Sequence, residues 1–172
     1  APGGKSTHIA ELINNQGEIW SVDRSSLRAE KILANSERLG TTCLQLLVAD
    51  SIDLLDKHPE WEVYFNRILI DAPCSGLGTL ARHPDARWRV TQDNIQELVS
   101  LQSKLLNSLV PLLKSGGKLV YSTCTIHPDE NSNQIKNFLK IQSRFKLEYE
   151  RQIWPGEEDN GDGFYIAVLI KL

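Results

Sequence analysis

Apolar residues recur along the chain in two patterns, short continuous runs and longer segments with helical spacing. The short runs predict strands, and the longer segments predict amphipathic helices. The predicted strands span residues 18–22, 43–48, 67–70, 118–121, 145–149 and 164–170. The predicted helices span residues 6–14, 26–39, 52–57, 91–113 and 128 to 139 or 140. Gly40 and the pair Gly116 and Gly117 follow two of these helices as stop signals.

The alternation of strands and helices indicates an α/β fold. In such folds, parallel strands are joined by right-handed crossovers, and ligands bind at the carboxyl ends of the strands. The 172 residues, 41% of them hydrophobic, are enough for one domain over residues 1–172. No apolar run reaches the roughly 18 residues that a membrane span needs. We therefore expect one α/β domain that does not enter a membrane.

Composition adds two constraints. Three cysteines cannot all pair, and no signal-peptide pattern opens the chain, which favours free thiols and a cytoplasmic location. The formal net charge of −3 provides no bulk attraction to nucleic acid. Any RNA binding is therefore expected from a local basic patch or from another domain.

The chain begins directly on a glycine turn and contains no methionine. A turn of this kind follows a strand in dinucleotide-type folds. We therefore expect a truncated catalytic domain whose first strand and upstream RNA-binding region are absent. The missing strand would lie in the middle of the sheet, which would leave strand edges unpaired. The 172-residue chain is therefore expected either to be poorly stable and to self-associate, or to have another segment in the place of the missing strand.

Three aspartates, Asp23, Asp50 and Asp71, each come just after a predicted strand. We expect them to converge on one crevice with the glycine turn, because parallel strands end at the same edge of a sheet. An acidic residue about 20 positions after such a turn holds ribose hydroxyls in dinucleotide-binding folds, and Asp23 lies at that distance. Capping of the following helix is the simpler interpretation for any single aspartate. Three in succession favour a binding site.

Two cysteines also follow strand ends, in the segments Asp71-Ala72-Pro73-Cys74-Ser75 and Ser122-Thr123-Cys124-Thr125. Their position beside small hydroxyl residues favours sulfur as a reagent, although a free cysteine is often only a small core residue. Cys43 lies within a strand pattern and is expected in the core. The two strand-end cysteines predict thiol chemistry.

A second interpretation concerns the opening residues. Gly4-Lys5-Ser6 resembles the end of a phosphate-binding loop, and the apolar strand before Asp71 resembles the magnesium-binding strand of nucleoside triphosphatases. Pro2 removes an N–H donor that a triphosphate would need, and both strand-end cysteines stay unexplained. A nucleoside triphosphatase is therefore the weaker hypothesis.

The motifs closely resemble those of the cytosine-C5 RNA methyltransferases of the Sun type, over essentially the whole chain. The two cysteine motifs, in this order and at this separation, are the most specific part of the resemblance. The shared segments are Ala1-Pro2-Gly3-Gly4-Lys5, Val22-Asp23-Arg24-Ser25, Ala49-Asp50, residues 71–79, His83-Pro84-Asp85, Arg87-Trp88, residues 121–125, residues 128–131 and residues 162–167. The resemblance implies a Rossmann-like methyltransferase fold, with a mostly parallel sheet and one antiparallel strand.

The resemblance also implies the cofactor, the substrate and the residues that bind them. The cofactor would be S-adenosylmethionine, the substrate RNA, in particular small-subunit ribosomal RNA, and no metal is expected. The turn of Ala1, Pro2, Gly3, Gly4 and Lys5 would wrap the methionine portion of the cofactor. Asp23 would hold the ribose hydroxyls, Asp50 the adenine amino group, and Asp71 would lie near the cofactor amine and the cytosine edge.

The catalytic candidates are Cys124 and Cys74, whose roles the resemblance implies, and Asp71 and Lys5, whose charges suit the chemistry of the reaction. Cytosine C5 is too poor a nucleophile to take a methyl group unaided, so a thiolate must first add at C6. Cys124 would supply this thiolate, and Lys5 would favour its ionisation. Cys74, or a water that it positions, would assist removal of the C5 proton and product release. Residue spacing alone does not choose between the two cysteines.

Two further segments leave alternatives open. Arg82, Arg87 and Arg89 surround Trp88, which either stacks on RNA bases or packs as a loop anchor. Asp129-Glu130-Asn131 is interpreted as the start of a helix. A catalytically inactive RNA-binding module is a third functional class, because fold does not determine function, but the two cysteines argue against it.

Overall fold

A computed structural model describes residues 3–157 and 161–172. The chain divides into two compact units, Ala1–Leu54 and Leu55–Leu172. Within the described residues, no helix has the length and apolar character that crossing a membrane requires.

The first unit consists of two parallel strands and two helices. Its elements are α1 (Gly4–Leu12), β1 (Ile19–Asp23), α2 (Ser26–Leu39) and β2 (Leu44–Val48). The strands pair in register from Ile19 opposite Leu44 to Asp23 opposite Val48. Helix α2 begins where the Ser25 hydroxyl accepts a hydrogen bond from the Arg28 N–H, and it ends at Gly40 in the left-handed conformation.

The second unit is built on a four-stranded sheet. Its helices are α3 (Leu54–Lys57), α4 (Ala86–Arg89), α5 (Gln92–Leu109) and α6 (Ser132–Ile141), and α3 begins on the last residue of the first unit. Its strands are β3 (Phe65–Asp71), β4 (Leu113–Thr123), β5 (Phe145–Ile153) and β6 (Phe164–Lys171). The strand order is β3–β4–β6–β5. Strand β3 runs parallel to β4, whereas β6 runs antiparallel to both of its neighbours. The expected α/β architecture, mostly parallel with one antiparallel strand, is confirmed.

The core of the second unit lies on the two central strands. Leu119, Tyr121, Ala167 and Leu169 are almost completely buried on β4 and β6. Within the described residues, β3 pairs in the sheet only with β4, and β1 pairs only with β2. The carboxyl ends of β3 and β4 therefore lie side by side, with Asp71 opposite Ser122.

The end of the long helix differs from its prediction. Helix α5 starts at a capping box formed by Thr91 and Asn94, and it ends at Leu109. A 3₁₀ turn, Val110–Leu112, follows and contains a proline. Strand β4 already begins at Leu113, so the pair Gly116 and Gly117 lies inside a strand with a register irregularity opposite β3. The helix prediction to residue 113 was wrong because a tightened turn can end a helix without glycine.

The start of the last helix also differs. Pro128–Glu130 forms a separate 3₁₀ turn, and Asn131, with φ −116° and ψ −108°, separates it from α6. The predicted continuous helix from residue 128 was therefore wrong. The interruption turns the side chains of Glu130 and Asn131 into the interior, where both are buried.

Candidate active site

In the first unit, Asp23 and Asp50 lie at the ends of the two paired strands. Asp23 Oδ1 accepts hydrogen bonds from the Ser25 N–H at 2.8 Å and from Arg28 Nε at 3.0 Å. Asp50 accepts from the Ile52 N–H at 3.0 Å, which caps a 3₁₀ turn, and pairs with Arg24 at 3.3 Å. Both carboxylates therefore stabilise turns as well as presenting acceptors at the sheet edge.

The environment of Asp23 favours its ionised form. Burial alone would raise the pKa of this carboxyl, but the Ser25 N–H and the Arg28 guanidinium outweigh that effect and hold the pKa below its ordinary value. Asp23 is therefore a negatively charged hydrogen-bond acceptor at neutral pH.

The glycine turn precedes α1 directly. Gly3 has a φ of +95°, and a Cβ at this position would lie 3.2 Å from Ile32 Cγ2 and 3.3 Å from Ile32 Cα. Only glycine combines this left-handed conformation with the close approach to α2. Gly4 and Lys5 are exposed on the first turn of α1. The predicted cofactor residues Ala1 and Pro2 lie outside the described residues.

In the second unit, the structure brings the two strand-end cysteines together. Cys74 lies three residues beyond β3, and Cys124 directly follows β4. Their Sγ atoms are 3.4 Å apart, and both thiols are half-buried and reduced. Asp71, the last residue of β3, accepts a hydrogen bond from the Ser122 hydroxyl at 3.4 Å. The sequence thus correctly placed these three side chains at one strand edge.

The surroundings of the Cys74 thiol disfavour its ionisation. The pKa of the Cys74 thiol is raised because its S–H is bound to the Cys124 sulfur, because it is buried, and because a charge on Cys124 would repel a second thiolate. Cys74 therefore keeps its proton at neutral pH and can donate it to Cys124 Sγ. Cys43, by contrast, is buried at the start of β2, in the core position expected for it.

A buried carboxylate that the sequence interpretation missed joins the two cysteine segments. Glu130 accepts hydrogen bonds from the Ser75 N–H at 2.9 Å, from the Ser75 hydroxyl at 2.5 Å and from Gln102 Nε2 at 3.0 Å. The Ser75 hydroxyl also lies 2.8 Å from Thr125 Oγ1. Ser75 and Thr125 are the residues that follow Cys74 and Cys124.

Asn131 holds the second cysteine segment from its other side. Its side-chain oxygen accepts from the Thr123 hydroxyl at 2.6 Å, and its amide donates to the Thr125 carbonyl at 2.9 Å. The residues on both sides of Cys124 are therefore fixed by one amide. The sequence signal for these roles was the position of Glu130 and Asn131 shortly after the cysteine motif, but their resemblance to a helix start concealed it.

Gly78 connects the loop after Cys74 to the backbone of Cys124. Its N–H donates to the Cys124 carbonyl at 3.0 Å, and its carbonyl accepts from the Gly163 N–H at 2.8 Å. A Cβ on Gly78 would lie 2.1 Å from the Gly163 oxygen, so a side chain cannot fit there. Three backbone segments therefore meet beside the cysteine pair.

The basic segment extends from this loop. Trp88 is 85% exposed, so the loop-anchor interpretation of this residue was wrong; Ala86, which is buried, anchors the short helix α4 instead. Arg82 forms an ion pair with Asp162, and Arg89 pairs with Asp85 at 2.7 Å. The segment thus presents an open aromatic face among guanidinium groups.

Comparison with known proteins gives consistent matches. The sequence model of the family described as 16S rRNA methyltransferase RsmB/F matches residues 1–170. A Synechocystis protein named probable ribosomal RNA small subunit methyltransferase B is 43% identical over 99% of this chain. The Escherichia coli ribosomal RNA small subunit methyltransferase B is 41% identical over 99% of this chain.

A solved structure agrees with these sequence matches. It is the crystal structure of NSun6 from Pyrococcus horikoshii with SFG, an analogue of S-adenosylmethionine. The match extends over 99% of this chain and 46% of the NSun6 chain, with a TM-score of 0.84 and a sequence identity of 32%. The chain spans about two fifths of the length of the two curated relatives, 41% and 40% respectively. These matches confirm the Sun-type resemblance and the methyltransferase fold.

Proposed function

The chain belongs to the 16S rRNA methyltransferase RsmB/F family, and on that premise we propose that it transfers a methyl group from S-adenosylmethionine to C5 of a cytosine in small-subunit ribosomal RNA. The observation that carries the cytosine-C5 assignment is the pair of thiols, Cys74 and Cys124, 3.4 Å apart at the ends of adjacent strands. Methylation of an oxygen or of an exocyclic nitrogen has no need of a thiol nucleophile. Methylation at C5 of a pyrimidine needs one thiolate to add at C6, and a second thiol beside it can assist release of the product.

The first unit offers acceptors that fit the cofactor. Ribose hydroxyls and the adenine amino group are hydrogen-bond donors, and the carboxylates of Asp23 and Asp50 are acceptors at the ends of neighbouring strands. Gly3 provides a left-handed backbone without a side chain. When bound, S-adenosylmethionine supplies an electrophilic methyl group on sulfur. Lys5 stays a prediction from the resemblance, as do Ala1 and Pro2.

Cys124 begins the reaction by forming a bond from its thiolate sulfur to cytosine C6. The electron pair of the C5–C6 double bond then becomes available at C5, which would take the methyl group while the electron pair of the broken sulfur–methyl bond would stay on the cofactor sulfur. The protonated state of Cys74 supports this assignment of roles. Its raised pKa keeps its proton in place, and its S–H can stabilise negative charge on Cys124 Sγ. Asp71 would hold the cytosine edge through its carboxylate.

Product release needs the loss of the C5 proton and then of the Cys124–C6 bond. Once the Cys124 sulfur is bonded to carbon it carries no charge, so one of the causes that raise the pKa of Cys74 is removed. Cys74, once it has lost its proton, or a water molecule that it positions can take the proton from C5. The electrons of the C5–H bond restore the double bond, and Cys124 leaves as a thiolate.

The proposed function predicts both the cofactor and the product. Calorimetric titration of the full-length protein should detect binding of S-adenosylmethionine and none of ATP with magnesium, because the acceptors of the first unit suit a nucleoside and not a triphosphate. Mass spectrometry of nucleosides from treated small-subunit RNA should detect 5-methylcytidine. ATP binding without the methionine cofactor would support the nucleoside triphosphatase hypothesis instead. Cofactor and RNA binding without any product would support an inactive module.

Trp88 is proposed as a contact for the RNA substrate. Stacking of one base contributes about 1 to 3 kcal/mol, so Trp88→Ala should raise the KM for RNA by about 5- to 160-fold. Trp88→Phe should retain most of the affinity, and kcat should change little in either variant. Tyr149→Ala is the matched control, since Tyr149 is an exposed aromatic residue on β5. Equal KM values for Trp88→Ala and the control would reject this contact.

A further inference from the structure

We propose that Glu130 is a positioning residue that holds the Cys74 and Cys124 segments in register with each other. Its catalytic consequence rests on the proposed function, but its effect on the distance between the thiols does not. Glu130 is completely buried, in a position where the sequence predicted the start of a helix. A buried carboxylate is costly unless its oxygens are well hydrogen-bonded, so its partners indicate what it does.

The partners of Glu130 converge on the first cysteine segment. Oε2 accepts from the Ser75 N–H at 2.9 Å and from Gln102 Nε2 at 3.0 Å, and Oε1 accepts from the Ser75 hydroxyl. The same Gln102 nitrogen donates to the Pro73 carbonyl at 2.9 Å. The residues on both sides of Cys74 are thereby fixed, one directly by Glu130 and the other through Gln102.

The carboxylate also orients the contact to the second cysteine segment. Because the Ser75 hydroxyl gives its proton to Glu130, its oxygen is left to accept one, and the neighbouring donor is the Thr125 hydroxyl at 2.8 Å. The hydrogen-bond chain therefore runs from Thr125 through Ser75 to Glu130. All the hydrogen bonds in this series point in this direction only if the side chain of residue 130 accepts hydrogen bonds and carries no proton of its own.

The backbone of Glu130 is held independently of its side chain. The Tyr121 hydroxyl donates to the Glu130 carbonyl at 2.7 Å. Burial and the nearby negative charge of Glu130 raise the pKa of Tyr121, so that its hydroxyl keeps the proton it donates. Glu130→Gln should therefore keep the local backbone in place while it introduces an amide N–H₂ that faces either the Ser75 hydroxyl or the two N–H donors.

The test measures the spacing of the thiols without RNA or cofactor. Diamide, a diazene oxidant, takes two electrons and two protons from a pair of neighbouring thiols and leaves a disulfide. In the full-length protein we expect Glu130→Gln to slow formation of the Cys74–Cys124 disulfide by about tenfold, as the coupling within one hydrogen-bond network permits. Ser75→Ala, which breaks the same chain at its middle, should slow it similarly, and the double variant should be no slower than either single one.

Glu150→Gln is the matched control, because Glu150 also accepts a hydrogen bond from a buried hydroxyl, that of Tyr165 at 2.6 Å, which is not a member of the series from Thr125 through Ser75 to Glu130. It should form the disulfide at the wild-type rate. Methyl transfer should show a kcat lowered by about 100-fold in Glu130→Gln with KM for RNA nearly unchanged, as misplacement of reacting groups predicts.

The outcomes separate the two proposals. Wild-type disulfide rates in both Glu130→Gln and Ser75→Ala would overturn the positioning role, whatever the activity. Slowed disulfide formation in a protein that makes no 5-methylcytidine would support the positioning role and reject the proposed function. If Glu130→Gln does not fold, Ser75→Ala alone decides, because a wild-type disulfide rate in that variant contradicts the proposed chain.

Discussion

Cys124→Ala in the full-length enzyme is expected to lose methyl transfer and the covalent RNA adduct together. The fall in kcat should be roughly 10⁴-fold or more, the scale on which deletion of a covalent nucleophile acts. Cys74→Ala should still form the adduct and accumulate it, because Cys124 itself forms the bond to C6 and release of the product is the step that requires Cys74. Denaturing gel electrophoresis of each variant with substrate RNA and cofactor measures the adduct, and nucleoside analysis measures the product.

The third cysteine provides the control for this comparison. Cys43→Ala removes a buried thiol outside the second unit, at a position that pairs with no other cysteine. It should leave both the adduct and the turnover close to wild type. A stable RNA-shifted band from Cys124→Ala and none from Cys74→Ala would reverse the two roles, and a band from neither variant would place both cysteines before adduct formation.

Sequence patterns placed the strand-end residues well, and there is a physical reason for this. A buried strand shows in the sequence as a run of apolar residues, and the end of the run marks the end of the strand within a few residues. The sequence alone could therefore assign Asp23, Asp71 and Cys124 to strand ends. The identity of the reaction needed more, because spacing does not say what a thiol attacks. The resemblance of the two cysteine motifs to a known family supplied that step, and the family match confirms the resemblance.

Glu130 could not be assigned in this way because its environment is built by distant residues. Its partners are Ser75, 55 positions earlier, and Gln102, 28 positions earlier. Locally, a proline followed by two acidic residues is typical of a first helical turn. Only the unusual backbone of Asn131, which interrupts the helix, turns Glu130 inward. Tertiary contacts thus overrode a correct local signal.

For Trp88, unlike Glu130, the local sequence gave no single prediction. A tryptophan between two arginines is compatible with a packed anchor and with an exposed contact, and both environments occur for this residue type. The deciding fact is that Ala86, two positions earlier, occupies the buried position. The sequence alone, without three-dimensional contacts, does not say whether Trp88 or Ala86 occupies the buried position.

Asp23→Ala is expected to weaken S-adenosylmethionine binding by about 2 to 4 kcal/mol, or about 30- to 900-fold in Kd, since it removes a charged acceptor for two ribose hydroxyls. Titration calorimetry of the full-length protein measures this change. The substitution also frees Arg28 and the Ser25 N–H, which Asp23 holds at the start of α2. Arg28→Gln is therefore the control, because it removes the ion pair and keeps the acceptor, and it should cost much less affinity. Unchanged affinity in Asp23→Ala would reject the ribose assignment.

The pH dependence of binding provides a second test of the same residue. The pKa of Asp23 lies below its ordinary value of 3.8, so the carboxylate stays ionised over the range from about pH 5 to 8. The difference in binding free energy between wild type and Asp23→Ala should therefore be constant over that range. A lowered pKa means that the contribution is present above the ordinary value and disappears only as the pH falls through the lower, folded-state value. A difference that already vanished between pH 7 and 5 would mean that a group other than the Asp23 carboxylate holds the cofactor.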